Sequence, residues 1–455
     1  MSPGSFETFR FVAVVLVVFT ALVVFTTAIG GQTAIGTIEL SAADPVASNP
    51  YSIAIDESGG SLRGYVALAG QVAPFGEPPE GYSGHHVAEF DLQTLEVTRT
   101  FAVGYYPTEL LLLEDTQELY VTCSTGSSLF RIDLFSGEVM SIDLTDSVGN
   151  PIEFLSGLCL SKAGDRIFVA SNGGDFDGSD ENLVAVDRVS HTIVDRHVLA
   201  GGIVRMAVRP DGTLVIPVGF PGNDYTAAPE VWILPVGGTP AFLVGLPVDT
   251  SDFPAPADIS VNSSGEEALI SVFGGSPEIF RVDLETGTLL ESIEISGGEY
   301  VQTSIALSPT QDRLAVCQFF GNTVRIIDLA TGTEISSSEV GALPNSISWA
   351  GGRLWVTLQG NERVLVLADS WSFLRGDTTA DGIVDIADAV WALGYLFAGQ
   401  EIACIESADI DDSDTVDLSD PILLLGFLFT AGPPPAYPWP LPGGDLIADE
   451  LDCDQ

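Results

Sequence analysis

The chain has 455 residues, 63 of them acidic against 16 basic, for a formal net charge of −47, and 46% of its residues are hydrophobic. Such a charge repels phosphate backbones and anionic lipid, which argues against nucleic acid and against a peripheral membrane role. It suits divalent cations or a salty medium, and for most of these carboxylates the reading is a solvated, self-repelling surface.

Residues Phe11 to Ile29 form an uncharged apolar run, with Arg10 before it and the small residues Ala28, Gly30 and Gly31 at its end. This is the pattern of an export signal. The run is also just long enough to span a bilayer, so cleavage after about Ala28 or Gly30 competes with retention as an anchor. In either case the nearby positive charge lies on the N-terminal side, which places the rest of the chain outside the cytoplasm. Residues 1–30 are therefore assigned as a leader.

The next segment, 31–371, is built from one repeated unit. In Asn322-Thr-Val-Arg-Ile-Ile-Asp328-Leu-Ala-Thr-Gly-Thr333, apolar and polar residues alternate through a strand, and Asp328 to Gly332 then supply turn chemistry. Copies stand at Arg131 to Gly137 and at Arg281 to Gly287, and weaker ones end at Asp91, Asp187, Pro235 and Asp369. Each is preceded by two more short strands, so the period is four strands in roughly 40–55 residues, the length of a propeller blade. Seven first strands begin near Tyr51, Thr108, Gly157, Val204, Ala257, Thr303 and Asn345. The last blade lacks a fourth strand, while Thr33 to Leu40 is a strand without a partner. Pairing the two closes the ring and removes two open edges, so the N-terminal strand is predicted to complete the blade containing Trp355.

With these residues in view, segment 36–371 resembles the seven-bladed propellers of the YVTN and lactonase-like group, in which repeats share an Ala-x-Ser/Pro first strand, a Tyr-Val second strand and an Ile-Asp-x-x-Thr-Gly third strand. The resemblance implies architecture rather than chemistry. Three turns between second and third strands are long, Gln71 to His85, Asn172 to Glu181 and Gly219 to Glu230, and all project from one end of the ring. A ligand is expected there. Within the second of them, Asp175, Asp177, Asp180 and Glu181 around Gly178 could wrap a calcium ion, although the twelve-residue pattern is absent. His85 and His86 are adjacent and would face opposite sides of a strand, and neither Gly-x-Ser-x-Gly nor His-Glu-x-x-His occurs. Cys123, Cys159 and Cys317 read as buried free thiols, and a bridge is expected between Cys404 and Cys453.

The C-terminal segment 372–455 carries the most specific signal. Asp377, Thr379, Asp381, Asp385 and Asp388 place oxygen side chains at loop positions 1, 3, 5, 9 and 12, Gly382 sits at position 6, and Ile383 offers its carbonyl at position 7. This is the ligand spacing of an EF-hand calcium loop. Thirty-two residues later it recurs as Asp409, Asp411, Ser413, Thr415, Asp417 and Asp420, with Asp414 replacing the turn glycine, so the second site is expected to be the weaker. Each loop leads into an apolar helix, Ala389 to Phe397 and Pro421 to Phe429, and Gly432 to Pro442 is predicted to be extended polyproline. Aspartate at position 12, valine at position 8 and one exiting helix per loop resemble a type I dockerin. That resemblance implies two calcium ions and docking onto a cohesin. Positions 10 and 11, Ile386-Ala387 and Leu418-Ser419, bring the module closer to dockerin-like tails of secreted proteins from bacteria without recognised cellulosomes.

The expected protein is mainly β, a seven-bladed β-propeller followed by a small all-α calcium-binding domain. Its expected role is that of an exported, non-catalytic binding or adaptor protein, with an unknown ligand on the long-loop face and a cohesin-like or other surface protein as partner of the tail. The competing expectation is a secreted hydrolase, directed at glycans or lactones, that carries the tail for targeting.

Overall fold

The computed structural model describes residues 32–40, 49–56, 62–70, 85–172, 181–199, 201–220, 227–252, 254–274, 277–296, 302–369, 372–444, 451 and 453. The leader, most of the three long turns and the acidic stretch 173–180 lie outside them. Among the described residues no helix is long and apolar enough to cross a membrane.

Seven antiparallel sheets form the body of the protein, six of them running in chain order from an inner to an outer strand and the seventh taking its outermost strand from the N-terminal end of the chain. The inner strands are Pro50–Asp56, Tyr105–Leu113, Leu155–Leu160, Ala207–Val208, Ala255–Val261, Gln302–Leu307 and Pro344–Ala350. They define blades 1 to 7, close to the predicted starts. The fold is a seven-bladed β-propeller. Its apolar core is divided into seven wedges, each made by facing sides of two neighbouring blades. A blade therefore has no buried face of its own, and the ring stands or falls by its neighbours.

Local chemistry sets the outer turns. The Asp133, Asp187, Asp283 and Asp328 carboxylates accept from backbone N–H groups two or three residues on, as the repeat predicts. Those donors hold each of the four carboxyls below the usual aspartate range. Four residues after each aspartate the backbone turns left-handed, at Gly137, Gly287 and Gly332 but also at His191 in blade 3. Glycine suits that conformation and histidine tolerates it.

The ring closes as predicted: strand Ala34–Glu39 pairs antiparallel with Arg363–Ala368, from Ala34 opposite Leu367 to Glu39 opposite Arg363. Ile38 and Leu40 are fully buried there, against Phe90 of blade 1 and Trp355 of blade 7. Because the pairing is antiparallel, Thr33 lies beside Ala368, at the end of the ring opposite the long turns. Ile38→Val removes one methylene from this wedge and is expected to lower stability by about 1 kcal/mol. Urea denaturation read by intrinsic fluorescence checks it, and an unchanged midpoint would mean that the strand does not hold the seam.

Beyond the propeller come α1 (Ile386–Ala398) and α2 (Ser419–Thr430), each starting a few residues before its predicted apolar run; Asp385 caps α1, and Asp417 accepts from the first N–H of α2, that of Ser419. They pack on each other around Ala389, Ile410 and Leu424. Segment 432–444 is not the continuous polyproline helix predicted. It bends at 437–438 and 440–441 so that it can lie against the propeller, where Gly443 exchanges two backbone hydrogen bonds with Phe373, and Gly444 N–H donates to Gly351 O. Cys404 and Cys453 are bonded, while Cys123, Cys159 and Cys317 are buried thiols, as expected.

Candidate functional site

In the first acidic loop the position-1 carboxylate organises the backbone. Asp377 Oδ2 accepts from Gly382 N–H at 2.7 Å and its Oδ1 from Asp381 N–H at 3.1 Å. Thr379 Oγ1 reaches Asp388 Oδ1 at 3.0 Å and Asp377 Oδ1 at 3.4 Å, so positions 1, 3 and 12 converge. Asp381 is turned instead toward the N–H of Ile383, and Asp385 caps α1 by accepting from Ala387 N–H while Asp388 accepts from Asp385 N–H.

The second loop repeats this backbone. Residues at positions 4 and 6 are left-handed in both loops, Ala380 and Gly382 in the first, Asp412 and Asp414 in the second. Asp414 thus takes the glycine conformation, as predicted for a residue that tolerates positive φ. Asp409 accepts from Ser413 N–H, Asp420 accepts from the N–H groups of Ile410 and Asp417, and Asp417 accepts from Ser419 N–H. Thr415 lies 3.5 Å from Ser413 through their hydroxyls. Asp409, Asp411 and Asp420 bring carboxylate oxygens within 4.8 Å of one another. Burial pushes the Asp420 carboxyl up to about 6, with Asp409 and Asp411 repelling it further, against the two N–H donors. Asp377 and Asp409 are raised for the same leading reason. Oxygen donors crowded in this way repel one another and suit a hard cation.

Sequence reasoning missed the arginines that hold this module in place. Arg375 is fully buried and its guanidinium pairs with Glu406 at 2.7 Å and Asp412 at 2.6 Å, while donating to the carbonyls of Tyr437 and Asp409. It joins the second loop to the returning tail. Arg353, also fully buried, donates to the carbonyls of Leu92, Leu441 and Pro442 and lies over the Tyr437 ring at 4.9 Å. It joins that tail to the seam between blades 7 and 1. Neither stands in a recognisable motif.

A second cluster sits at the channel mouth, on the long-turn end. Inner strands shift register near their starts, between Pro107 and Glu109 and between Pro256 and Asp258, and each shift turns the next side chain inward. In blade 4 the pairing lapses altogether from Ile203 to Met206, and Gly157 gives Arg205 room: a Cβ there would lie 3.1 Å from Arg205 Cα. Arg205 consequently bridges Glu109 and Asp258, at 3.0 Å each. Asp258 also accepts from Ser304 Oγ and from the N–H groups of Ile305 and Ile259. Burial, reinforced by Asp258, pushes the Glu109 carboxyl up to about 7 in spite of Arg205. These residues open onto a cavity of about 180 Å³, also lined by Tyr51, Tyr106 and Phe154. On the opposite end of the ring a cleft of about 590 Å³ is lined by His197, Lys162 and Asp211.

Solved structures of two other proteins share the fold. Hydrazine synthase from Kuenenia stuttgartiensis is 15% identical with a TM-score of 0.57, and the match covers 76% of this chain and 99% of that one. A catalytically inactive virginiamycin B lyase from Staphylococcus aureus, solved with quinupristin, is 12% identical with a TM-score of 0.57, over 73% of this chain and 98% of that one. At these identities the likeness is one of architecture. No protein-family model and no curated protein sequence matches the chain.

The acidic stretch around Asp175, Asp177 and Asp180 falls outside the described residues, and its neighbour Glu181 pairs with Arg196 at 3.1 Å. His85 packs edge-on against Tyr105 with ring centroids 4.0 Å apart.

Proposed function

We propose that the chain is an exported, non-catalytic recognition protein, with a propeller that binds a ligand at its long-turn end and a calcium-ordered module, 372–455, that docks onto a cohesin-like surface protein. In this reading one calcium ion is held by Asp377, Thr379, Asp381, the Ile383 carbonyl, Asp385 and Asp388, and a second by Asp409, Asp411, Ser413, Thr415, Asp417 and Asp420. The Cys404–Cys453 bond supports export, because disulfides persist in oxidising compartments.

One observation carries the docking half. Exposed apolar residues recur with the loop spacing: Ile386 with Leu418, Val390 with Ile422, and Phe397 with Phe429, all 32 residues apart. Phe397 and Phe429 are 72% and 64% exposed. Two helices of one small module thus offer equivalent greasy positions beside equivalent acidic loops, and such a patch on a soluble protein marks an interaction surface. The test immobilises the full chain and compares calcium with chelator, using Val390→Asp combined with Ile422→Asp as the control. Expected is a cohesin-like protein retained in calcium and lost, by at least about tenfold, in chelator and in the double variant. Retention unaffected by both changes would refute the docking face.

The hydrolase reading is favoured by a different feature. A carboxyl near pH 7 in a channel is poised for proton transfer. Turnover of a lactone or glycoside that disappears in Glu109→Gln would replace the adaptor reading with this one.

A further inference from the structure

The recognition end of the propeller has an identifiable chemistry, and this inference deepens the ligand half of the proposed function while resting on nothing in the C-terminal module. The Glu109–Arg205–Asp258 cluster carries one arginine against two carboxyls. Asp258 is saturated: Oδ2 receives Arg205 Nη1, Ser304 Oγ and Ile305 N–H, and Oδ1 receives Ile259 N–H. Arg205 is spent on the same two partners, so it has little to offer an anion. Glu109 differs. Its Oε2 faces Arg205, and its Oε1 is left to the cavity, where Glu109 stands in the lining with Tyr51, Tyr106 and Phe154.

Glu109 brings the cavity a single available carboxyl oxygen, and the lining hydroxyls of Thr108 and Ser156 already donate to the carbonyls of Leu155 and Ile203, which is a poor donor set for a hard divalent ion that takes six or more charged or carbonyl oxygens. Aromatic faces next to a surplus negative charge are the setting in which an organic ammonium binds, through attraction to ring quadrupoles and to the carboxylate. At about 180 Å³ the cavity has room for about six waters, enough for a small head group and not for a folded chain.

We propose that the channel mouth is a binding site for a small organic cation, an alkylammonium or quaternary ammonium group, with Glu109 as its counter-charge and Tyr51, Tyr106 and Phe154 as its aromatic walls. Binding draws the proton off Glu109. The charged groups facing it are Arg205 and Asp258, and the phenol that feels its charge is Tyr51, which burial lifts above its ordinary value and so out of the neutral range.

Calorimetry on the full chain, kept in calcium throughout, tests this with choline, butylammonium and 3,3-dimethylbutanol, the uncharged counterpart of choline, together with glucose. Either cation should bind more tightly than the alcohol, and its affinity should rise about tenfold between about pH 6 and pH 8 as the Glu109 proton is lost. Glu109→Gln should abolish that rise. The pH series on the unaltered protein decides the matter even if the variant fails to fold. Equal affinity for choline and its neutral counterpart, a flat pH series, or pH-independent binding of glucose in place of the cations overturns the proposal. Any of these leaves the docking test on the helices untouched, so the two readings fail separately.

Discussion

In chelator, replacing Arg375 by alanine is expected to melt the C-terminal helices and free segment 432–444 from the ring while the blades remain folded. Arg375 is the junction of the Glu406 and Asp412 carboxylates and three main-chain carbonyls, and both it and Glu406 are shielded from water. Removing one member of a buried ion pair leaves the other charge stranded, at a cost of about 3–5 kcal/mol. That exceeds what a module with so small a core as Ala389, Ile410 and Leu424 can absorb. Limited proteolysis should then cut between residues 372 and 444 at rates at least about a hundredfold higher than in the parent, by the same free energy. Arg375→Ala combined with Glu406→Met should recover part of the loss, since the stranded charge is gone. If Arg375→Ala resists protease as well as the parent does, the arginine is not what fixes the module.

The second large effect concerns chelation, which reverses the direction in which stability changes with pH. In the ion-free loops Asp377, Asp409 and Asp420 all have raised carboxyl pKa values, Asp420 up to about 6. A carboxyl raised on folding adds stability that is complete below its unfolded value, near 4, and is lost as pH climbs through the folded value. In chelator, therefore, the module should be more stable at about pH 4.5 than at about pH 7.5. If the loops hold calcium as proposed, the order should invert with the ion present, because it needs ionised oxygens. At a thousandfold excess over the dissociation constant, each ion contributes about 4 kcal/mol. Far-ultraviolet circular dichroism of the full chain during heating, at both pH values with and without calcium, reads all four states. Identical melting with and without the ion at about pH 7.5 would sink the calcium assignment.

Much of this architecture was legible in the sequence because it is written locally. An aspartate whose carboxylate folds back onto its own chain, with a left-handed residue four positions on, needs no distant information, and five residues from Asp328 to Gly332 announce it. Ring closure was legible for another reason: a strand without a partner and a sheet without an edge demand each other. The twin loops follow from fixed spacing, and the structure gives them the same backbone even where Asp414 departs from glycine.

What escaped was what no short window contains. Glu109, Arg205 and Asp258 come from three blades and pair only once the ring has formed. A signal did exist. One residue past the predicted start of the inner strand, blades 1, 6 and 7 carry Ser52, Ser304 and Ser346 and blade 3 carries Leu158, all uncharged, while blades 2, 4 and 5 carry Glu109, Arg205 and Asp258. Charges at a position where the other four blades carry none mark the channel before any coordinates are known. Arg353 and Arg375 had no such marker. Their partners are carbonyls of a proline-rich stretch that looked like a passive spacer and bends to meet them.

Thr33 and Ala368 lie side by side at the end of the ring away from the long turns. Whatever precedes the first strand and whatever the helices hold therefore leave from a common base. If the chain is tethered by either terminus, as the proposed function has it, its channel mouth would point outward into the medium, so that holding on and reading the surroundings would not compete for the same side.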